Sequence, residues 1–496
     1  MIGAAAMTKR VLLVVHINTF FVEMFNAGLI LKDSPDYQPV FYFSIAYPTV
    51  QKDIARCQAA GMQVIDFRGQ LIKSEPDFAD GHSVPPVGGW KVVLKDRLPQ
   101  KWVELISSWN SKRHRFVYQW RRSSLLVQYR SLKKRQQEIK GFLLWQKPDV
   151  LLLGGDMVGY DTAVYIQAAQ SLAIPVVIVS STMDNGQAQA EAYWPDPKHS
   201  LRPLMNRFAG WLYPHWVRDW RGKRLIRMPW GRVLAMEWLG LAPPLPWVAG
   251  SGAADAIAVE SEEMVRFYIT AGLPREQLVN TGSLTDDLLA AAAQDAPARK
   301  AALCRELGLP AERPMLLSAL PPDVLYTFGG RPQCDFKTYP ELVEFWVRSL
   351  AALQGWNIVI LLHPSVSYED MRYIEDWGVK IARQPTAEVV PLCDLYVTSV
   401  SSTIRWAIAC GKPVVNYDVY RFYYEGFMHV KGVLYVEEQD GFQELLHRLT
   451  TDSAFLQQTA AAQAQAAPDW GFLDGRSGQR MLELLDSLIE KYHQEK

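Results

Sequence analysis

Cysteine is scarce in this chain. Five residues in 496 (Cys57, Cys304, Cys334, Cys393 and Cys410) stand without a Cys-x-x-Cys pair or regular spacing, which argues against a zinc ribbon or disulfide framework and fits a reducing compartment. Net charge is absent too: 52 Lys and Arg balance 52 Asp and Glu, so a globally basic nucleic-acid binder is disfavoured and nucleic acid is an unlikely partner by composition. No apolar run reaches the roughly 18–20 residues of a membrane span, because His16, Asn18 and Glu23 interrupt the best candidate. At the start, the basic pair Lys9-Arg10 follows the alanines, the reverse of a secretory signal, and the segment reads as a loose leader. Asp-x-Asp, P-loop, Gly-x-Gly-x-x-Gly and nucleophile-elbow patterns are also missing. The expectation is therefore no metal and no bound cofactor, and neither hydride nor ATP chemistry.

What is present is alternation. Val11–Ile17, Val40–Ile45 and Met62–Phe67 are short aliphatic runs separated by stretches with helical spacing, which predicts a βαβαβ unit with parallel strands covered on both faces. The rhythm breaks at about 70–147 and returns with Asp149–Asp156, a helix from Thr162 and a strand at Ile174–Ser180. It breaks again at about 187–250 and resumes at Ala256–Glu260. A linker helix over Thr285–Ala298 leads to a second series of strands at Met315–Ser318, Asn357–Leu362, Leu395–Thr398 and Val414–Tyr417. The expected fold class is α/β, two Rossmann-like doubly wound domains facing across a cleft, an architecture that resembles the GT-B glycosyltransferases. The expected domains are 1–292, an acceptor domain carrying both insertions, and 293–496, a nucleotide-sugar-binding domain. Asp474–Arg480 opens a last helix expected to pack back on the first domain.

Two strand ends in the second half carry chemistry. Leu395–Thr398 runs into Ser399-Val400-Ser401-Ser402-Thr403, where small hydroxylated residues open a helix; free N–H groups and hydroxyls there suit a phosphate, although simple N-capping by Ser401 or Ser402 is an equal reading of this segment alone. Asn357–Leu362 ends in His363-Pro364, and the proline favours extended geometry that keeps the imidazole at the sheet's tip. A histidine there is suited to meeting a departing phosphate by charge or hydrogen bonding.

His363-Pro364, followed by Ser401-Ser402 and Gly411-Lys412-Pro413, resembles the nucleotide-binding half of bacterial surface-polysaccharide transferases. That group includes the CMP-sialic acid and CMP-Kdo transferases and the CDP-glycerol glycerophosphotransferases; UDP-N-acetylglucosamine 2-epimerases share the layout. The resemblance covers about 200 residues of the carboxyl half. It implies a metal-independent transferase that moves a sugar from a nucleotide donor, such as CMP-activated Kdo or sialic acid, to a lipopolysaccharide or capsule glycan. The implied nucleotide contacts are His363, Pro364, Ser401, Ser402 and Thr403; Ser318, at the end of its strand, and Gly282 with Ser283, after the strand-like Gln277–Asn280, are second-rank contacts by position alone. In the transferase pattern an acid-acid-Gly motif supplies the general base, and Asp184-Asn185-Gly186 is the nearest match, with Asn185 replacing the second acid. The same residues also suit an ordinary turn, and Asp156 is the rival base. The epimerases carry adjacent glutamates in the helix after the serine turn. Here that helix reads Ile404-Arg405-Trp406-Ala407, so a UDP-N-acetylglucosamine 2-epimerase is the alternative, and a non-catalytic assembly scaffold on the same fold is a third.

Charge is segregated although the whole is neutral. Between Lys101 and Lys147 twelve Lys and Arg face only Glu104 and Glu138, with Arg115, Arg121, Arg122, Lys133 and Lys134 among them. The second insertion adds Arg221, Lys223 and Arg224, with Trp216, Trp220, Trp230 and Trp238 interleaved. Basic residues with interfacial tryptophan predict contact with an anionic membrane surface or an anionic acceptor, which would put a cytoplasmic enzyme at the inner face of the membrane beside a lipid-linked glycan.

Overall fold

The computed structural model describes residues 8–47, 49–66, 71–72, 124–179, 186–325, 334–363 and 366–494. The first half forms one sheet from β1 (Lys9–Val15), β2 (Tyr37–Phe43), β3 (Gln63–Ile65), β4 (Leu71–Ile72), β5 (Val150–Leu153) and β6 (Val176–Val179). Past the hairpin of β7 (Val217–Trp220) and β8 (Lys223–Ile226), β9 (Ala256–Val259) and β10 (Leu278–Asn280) complete it. The order is β10-β9-β6-β5-β1-β2-β3-β4, parallel except for β4, which runs antiparallel on β3. The second half holds β11 (Met315–Ala319), β12 (Asn357–Leu361), β13 (Lys380–Ala382), β14 (Leu395–Thr398), β15 (Val414–Tyr417) and β16 (Val433–Val436). These lie in the order β13-β12-β11-β14-β15-β16. β5, and β1 from Val11 onward, are aliphatic because helices cover both faces: Val11, Leu13 and Val15 enter one core, Leu12 and Val14 the other.

In each sheet the order reverses beside its first strand, between β1 and β5 and between β11 and β14. Ligands bind in such sheets in the crevice beyond the carboxyl ends at those points. Gly154 and Gly155 end β5 because Phe20 lies across them; a Cβ on Gly154 would stand 2.3 Å from the Phe20 Cβ.

The last helix, Ser477–Gln494, packs on the first domain. Its Met481, Leu484, Leu485 and Ile489 join the core that includes Phe21, Tyr37 and Phe41, each worth about 1.5–3 kcal/mol when fully buried. Asp287 seats its start by accepting from Ser477 N and Gly478 N, both at 2.9 Å, where a carboxylate also meets the positive end of the helix. The expected linker helix is two helices, Leu284–Gln294 and Ala296–Leu307. Pro297 lacks the N–H that a continuous helix needs, and it fits the first turn of a new one. Among the described residues no helix is long and apolar enough to cross a membrane.

Candidate functional site

Ser318 on β11 sets the register of the second sheet, pairing with Ile360 on β12 and with Val397 on β14. His363 lies three residues beyond Ile360 and Ser401 four beyond Val397. Both therefore leave the same carboxyl edge, on either side of β11, from strands about 10 Å apart at two strand spacings. The His363 side chain is exposed at this edge, yet partial loss of its hydration holds the imidazole below its ordinary pKa. Pro364 lies outside the described residues.

The serine turn is tightly built. Ser401 Oγ bonds Thr403 Oγ1 at 2.7 Å and accepts from Thr403 N at 3.3 Å, while Thr403 Oγ1 also meets Tyr396 OH at 2.5 Å. Ser402, already helical in backbone, makes no side-chain cap and is exposed. Val400 has φ +42°, an outlier for a β-branched residue, held by its N–H bond to Asn416 Oδ1 at 2.9 Å. Arg421 and Tyr423, after the neighbouring β15, are also left-handed, at φ +50° and +53°. Three strained non-glycine residues thus lie beyond the ends of adjacent strands, as is common at functional sites. Of these, Val400, Arg421 and Tyr423 were not among the residues the sequence singled out, since backbone conformation leaves no mark in it.

Other expected contacts have internal duties. Ser318 is fully buried and its Oγ accepts from Trp346 Nε1 at 2.9 Å, so the structure turns it into the core rather than toward a ligand. Ser283 is buried, caps the Leu284–Gln294 helix in a capping box and donates to Glu23 at 3.0 Å. Gly282, at φ +78°, lies where a Cβ would stand 2.5 Å from Ser477 Oγ. Asp156 is buried, accepting from Thr162 Oγ1 at 2.8 Å and from Ser251 Oγ. Burial pushes its carboxyl pKa up, but its oxygens face the domain interior, which is where the strand-end reading of a base at Asp156 departs from the geometry. Asp184 lies outside the described residues. Gly186 beside it is left-handed at φ +83°, and a Cβ there would stand 2.1 Å from Trp247 O and 2.8 Å from Arg218 Nη1. Trp247 and Arg218 line a cavity of ≈ 430 Å³ with His215, Phe267 and Thr270.

A buried charge cluster joins the two domains. Arg405, 3% exposed, reaches from the helix behind the serine turn to Asp286, with Nη2–Oδ1 at 2.8 Å and Nη1–Oδ2 at 3.2 Å. Its Nε contacts Glu260 Oε2 at 2.9 Å, and Nη1 donates to Trp470 O at 3.0 Å. Glu23, also buried, accepts from Ser283 and Thr285 beside them. Burial pushes Glu260 up to about 7, against the pull of Arg405; Glu23 and Asp286 are raised for the same reason. One guanidinium faces three carboxylates, so this helix bridges the two domains through a cation.

His16 follows β1 at the first sheet's reversal point, buried, its Nδ1 2.8 Å from Ser44 Oγ. Burial lowers its pKa to about 4, which keeps the ring neutral at physiological pH. Among the described residues no group of three or more His, Cys, Asp or Glu is arranged to hold a metal ion.

Neither a protein-family model nor a curated protein matches the sequence. Solved structures do match in fold. A UDP co-structure of MnaA from S. aureus is 11% identical with a TM-score of 0.50, covering 97% of this chain and 97% of that one. A UDP-GlcNAc 2-epimerase from Neisseria meningitidis bound to UDP-GlcNAc is 13% identical with a TM-score of 0.49, over 96% of this chain and 100% of that one. A glycotransferase of kitacinnamycin is 13% identical with a TM-score of 0.48, over 97% and 99%. The fold is of the GT-B type, two parallel α/β sheets in one chain.

Proposed function

We propose that this chain is an enzyme that uses a nucleotide sugar, binding the nucleotide over the end of β11 between His363 and the Ser401–Thr403 turn. The observation that carries this is the register: both elements leave one sheet edge at the point where strand order reverses, where α/β sheets bind ligands. In the transferase reading, Asp184 removes the acceptor hydroxyl's proton and the oxygen attacks the anomeric carbon. The bond to phosphate breaks, and His363 with the turn's N–H and hydroxyl groups meets the charge left on the nucleotide. The cavity beside Gly186 is the place for an acceptor, and a lipid-linked surface glycan would fit a peripheral location at the inner face of the membrane.

A second reading is 2-epimerisation of UDP-N-acetylglucosamine; the fold shared with MnaA, solved with UDP, supports a uridine nucleotide in this site. The absence of an acid in Ile404–Ala407, with Arg405 committed to the domain interface, weighs against it. Thermal-shift titration with CMP, CDP, UDP and GDP tests the site. One nucleotide should stabilise the wild type, and His363→Ala and Ser401→Ala should weaken that response about tenfold or more at about 1.4 kcal/mol per decade. No shift with any nucleotide, or shifts unchanged in both variants, would refute the pocket. Incubation with UDP-N-acetylglucosamine alone then separates the chemistries, since only an epimerase makes a product without an acceptor.

A further inference from the structure

The helix Leu204–Leu212 is turned inside out. Asn206, Ala209 and Gly210 form its buried side, where a Cβ on Gly210 would meet Val217 Cγ2 at 2.8 Å, so only a small face allows this close packing. Its large apolar residues face solvent: Leu204 is 77% and Trp211 75% exposed, with Met205, Phe208 and Leu212 exposed between them. At about 100° per residue those five side chains occupy one arc of about 120°. A helix of a soluble surface turns such an arc inward.

Charge around the arc is predominantly basic, with the flanking acids Asp196 and Glu237 engaged by Lys198 and His215. Between Pro197 and Met236 the chain holds nine Lys and Arg and a single acid, Asp219. Arg202 and Arg207 flank the arc, are exposed, and form no ion pair with a described residue, unlike Arg221, which pairs with Glu191 at 2.9 Å, and Arg224, which meets Asp219 at 3.5 Å. Trp216, expected from the sequence at an interface, is fully buried, its Nε1 bonded to Glu237 at 2.6 Å.

We propose that the exposed face of Leu204–Leu212 seats in the headgroup boundary of an anionic lipid bilayer, with Arg202 and Arg207 against the lipid phosphates. An apolar arc of Leu, Phe, Trp and Met rimmed by unpaired arginine is what an in-plane interfacial helix presents. This gives the peripheral location proposed above its docking element, and it holds whether or not the nucleotide reading does.

Co-sedimentation of the full chain with phosphatidylcholine vesicles, with and without phosphatidylglycerol, tests it. The wild type should bind the anionic vesicles preferentially and release with salt. Phe208→Glu combined with Trp211→Glu should weaken partitioning at least about tenfold, and Arg202→Gln with Arg207→Gln should abolish the preference for anionic lipid. An unchanged melting temperature in both double variants verifies the fold, and the nucleotide titration is read separately. Equal binding by wild type and both variants overturns the proposal. So does a wild type that ignores vesicles and is a dimer that Phe208→Glu/Trp211→Glu converts to monomer, which assigns the face to self-association.

Discussion

Replacing Arg405 with methionine keeps most of the side chain's length and removes the only cation among the described residues that contacts Glu260 and Asp286. Those carboxylates are 5% and 0% exposed, and Glu23, 6% exposed, lies in the same field. Breaking a buried ion pair from one side costs about 3–5 kcal/mol. At about 2–4 °C per kcal/mol for a cooperative unit of roughly 150–250 residues, the loss corresponds to about 6–20 °C in melting temperature. The sign with pH follows from proton counts. Burial raises all three carboxyls, so the folded state binds more protons than the unfolded one, and stability from these groups is full below the ordinary carboxyl pKa and declines as pH rises toward about 7, the value for Glu260. Without the guanidinium those pKa values rise further, and the variant's deficit should be larger at pH 8 than at pH 5.5. Melting by circular dichroism across that range measures it. A variant within about 2 °C of wild type at pH 8, against the several degrees per kcal/mol expected, or a deficit that grows on acidification, would refute the reasoning.

Asp184→Asn should lower sugar-nucleotide turnover about 100-fold or more, the scale of a lost general base, while Asp156→Asn should keep turnover within a few-fold; the reverse pattern in a steady-state assay would move the base to Asp156. The same Asp156→Asn should lose less melting temperature at pH 8 than at pH 5, because burial raises the Asp156 pKa and its folded carboxylate becomes costly as pH rises. Gly186→Ala should destabilise by about 1–3 kcal/mol through its left-handed backbone, plus the contact 2.1 Å from Trp247 O, and denaturant melts would register it.

The fold was legible wherever burial is two-sided. β5 and β6 are unbroken aliphatic runs, as is β1 from Val11, and β11 is apolar but for Ser318; parallel sheets leave that trace because both faces are covered. The strands that escaped notice are short or half-exposed. Residues of β7 are intermediate or exposed, and β13 has three residues, one of them Lys380, too few to establish a period.

At the candidate site, the positions of His363 and the serine turn at one sheet edge were legible because each follows within three residues of a buried strand. The Arg405 cluster was not, since its partner Asp286 is 119 positions away and a pairing across that span leaves no local period. The arginine looked only like a departure from a glutamate-bearing helix. The second insertion misled for a different reason. Counting Trp and Arg identified its composition, but whether a tryptophan faces lipid or core depends on which side of its helix is narrow enough to pack. Trp211 stays outside because the opposite face is small and Gly210 fits the close approach to Val217, and Trp216 goes inside because Glu237 accepts its Nε1–H. In this chain the small residues, more than the large ones, determine which surface is left for a partner.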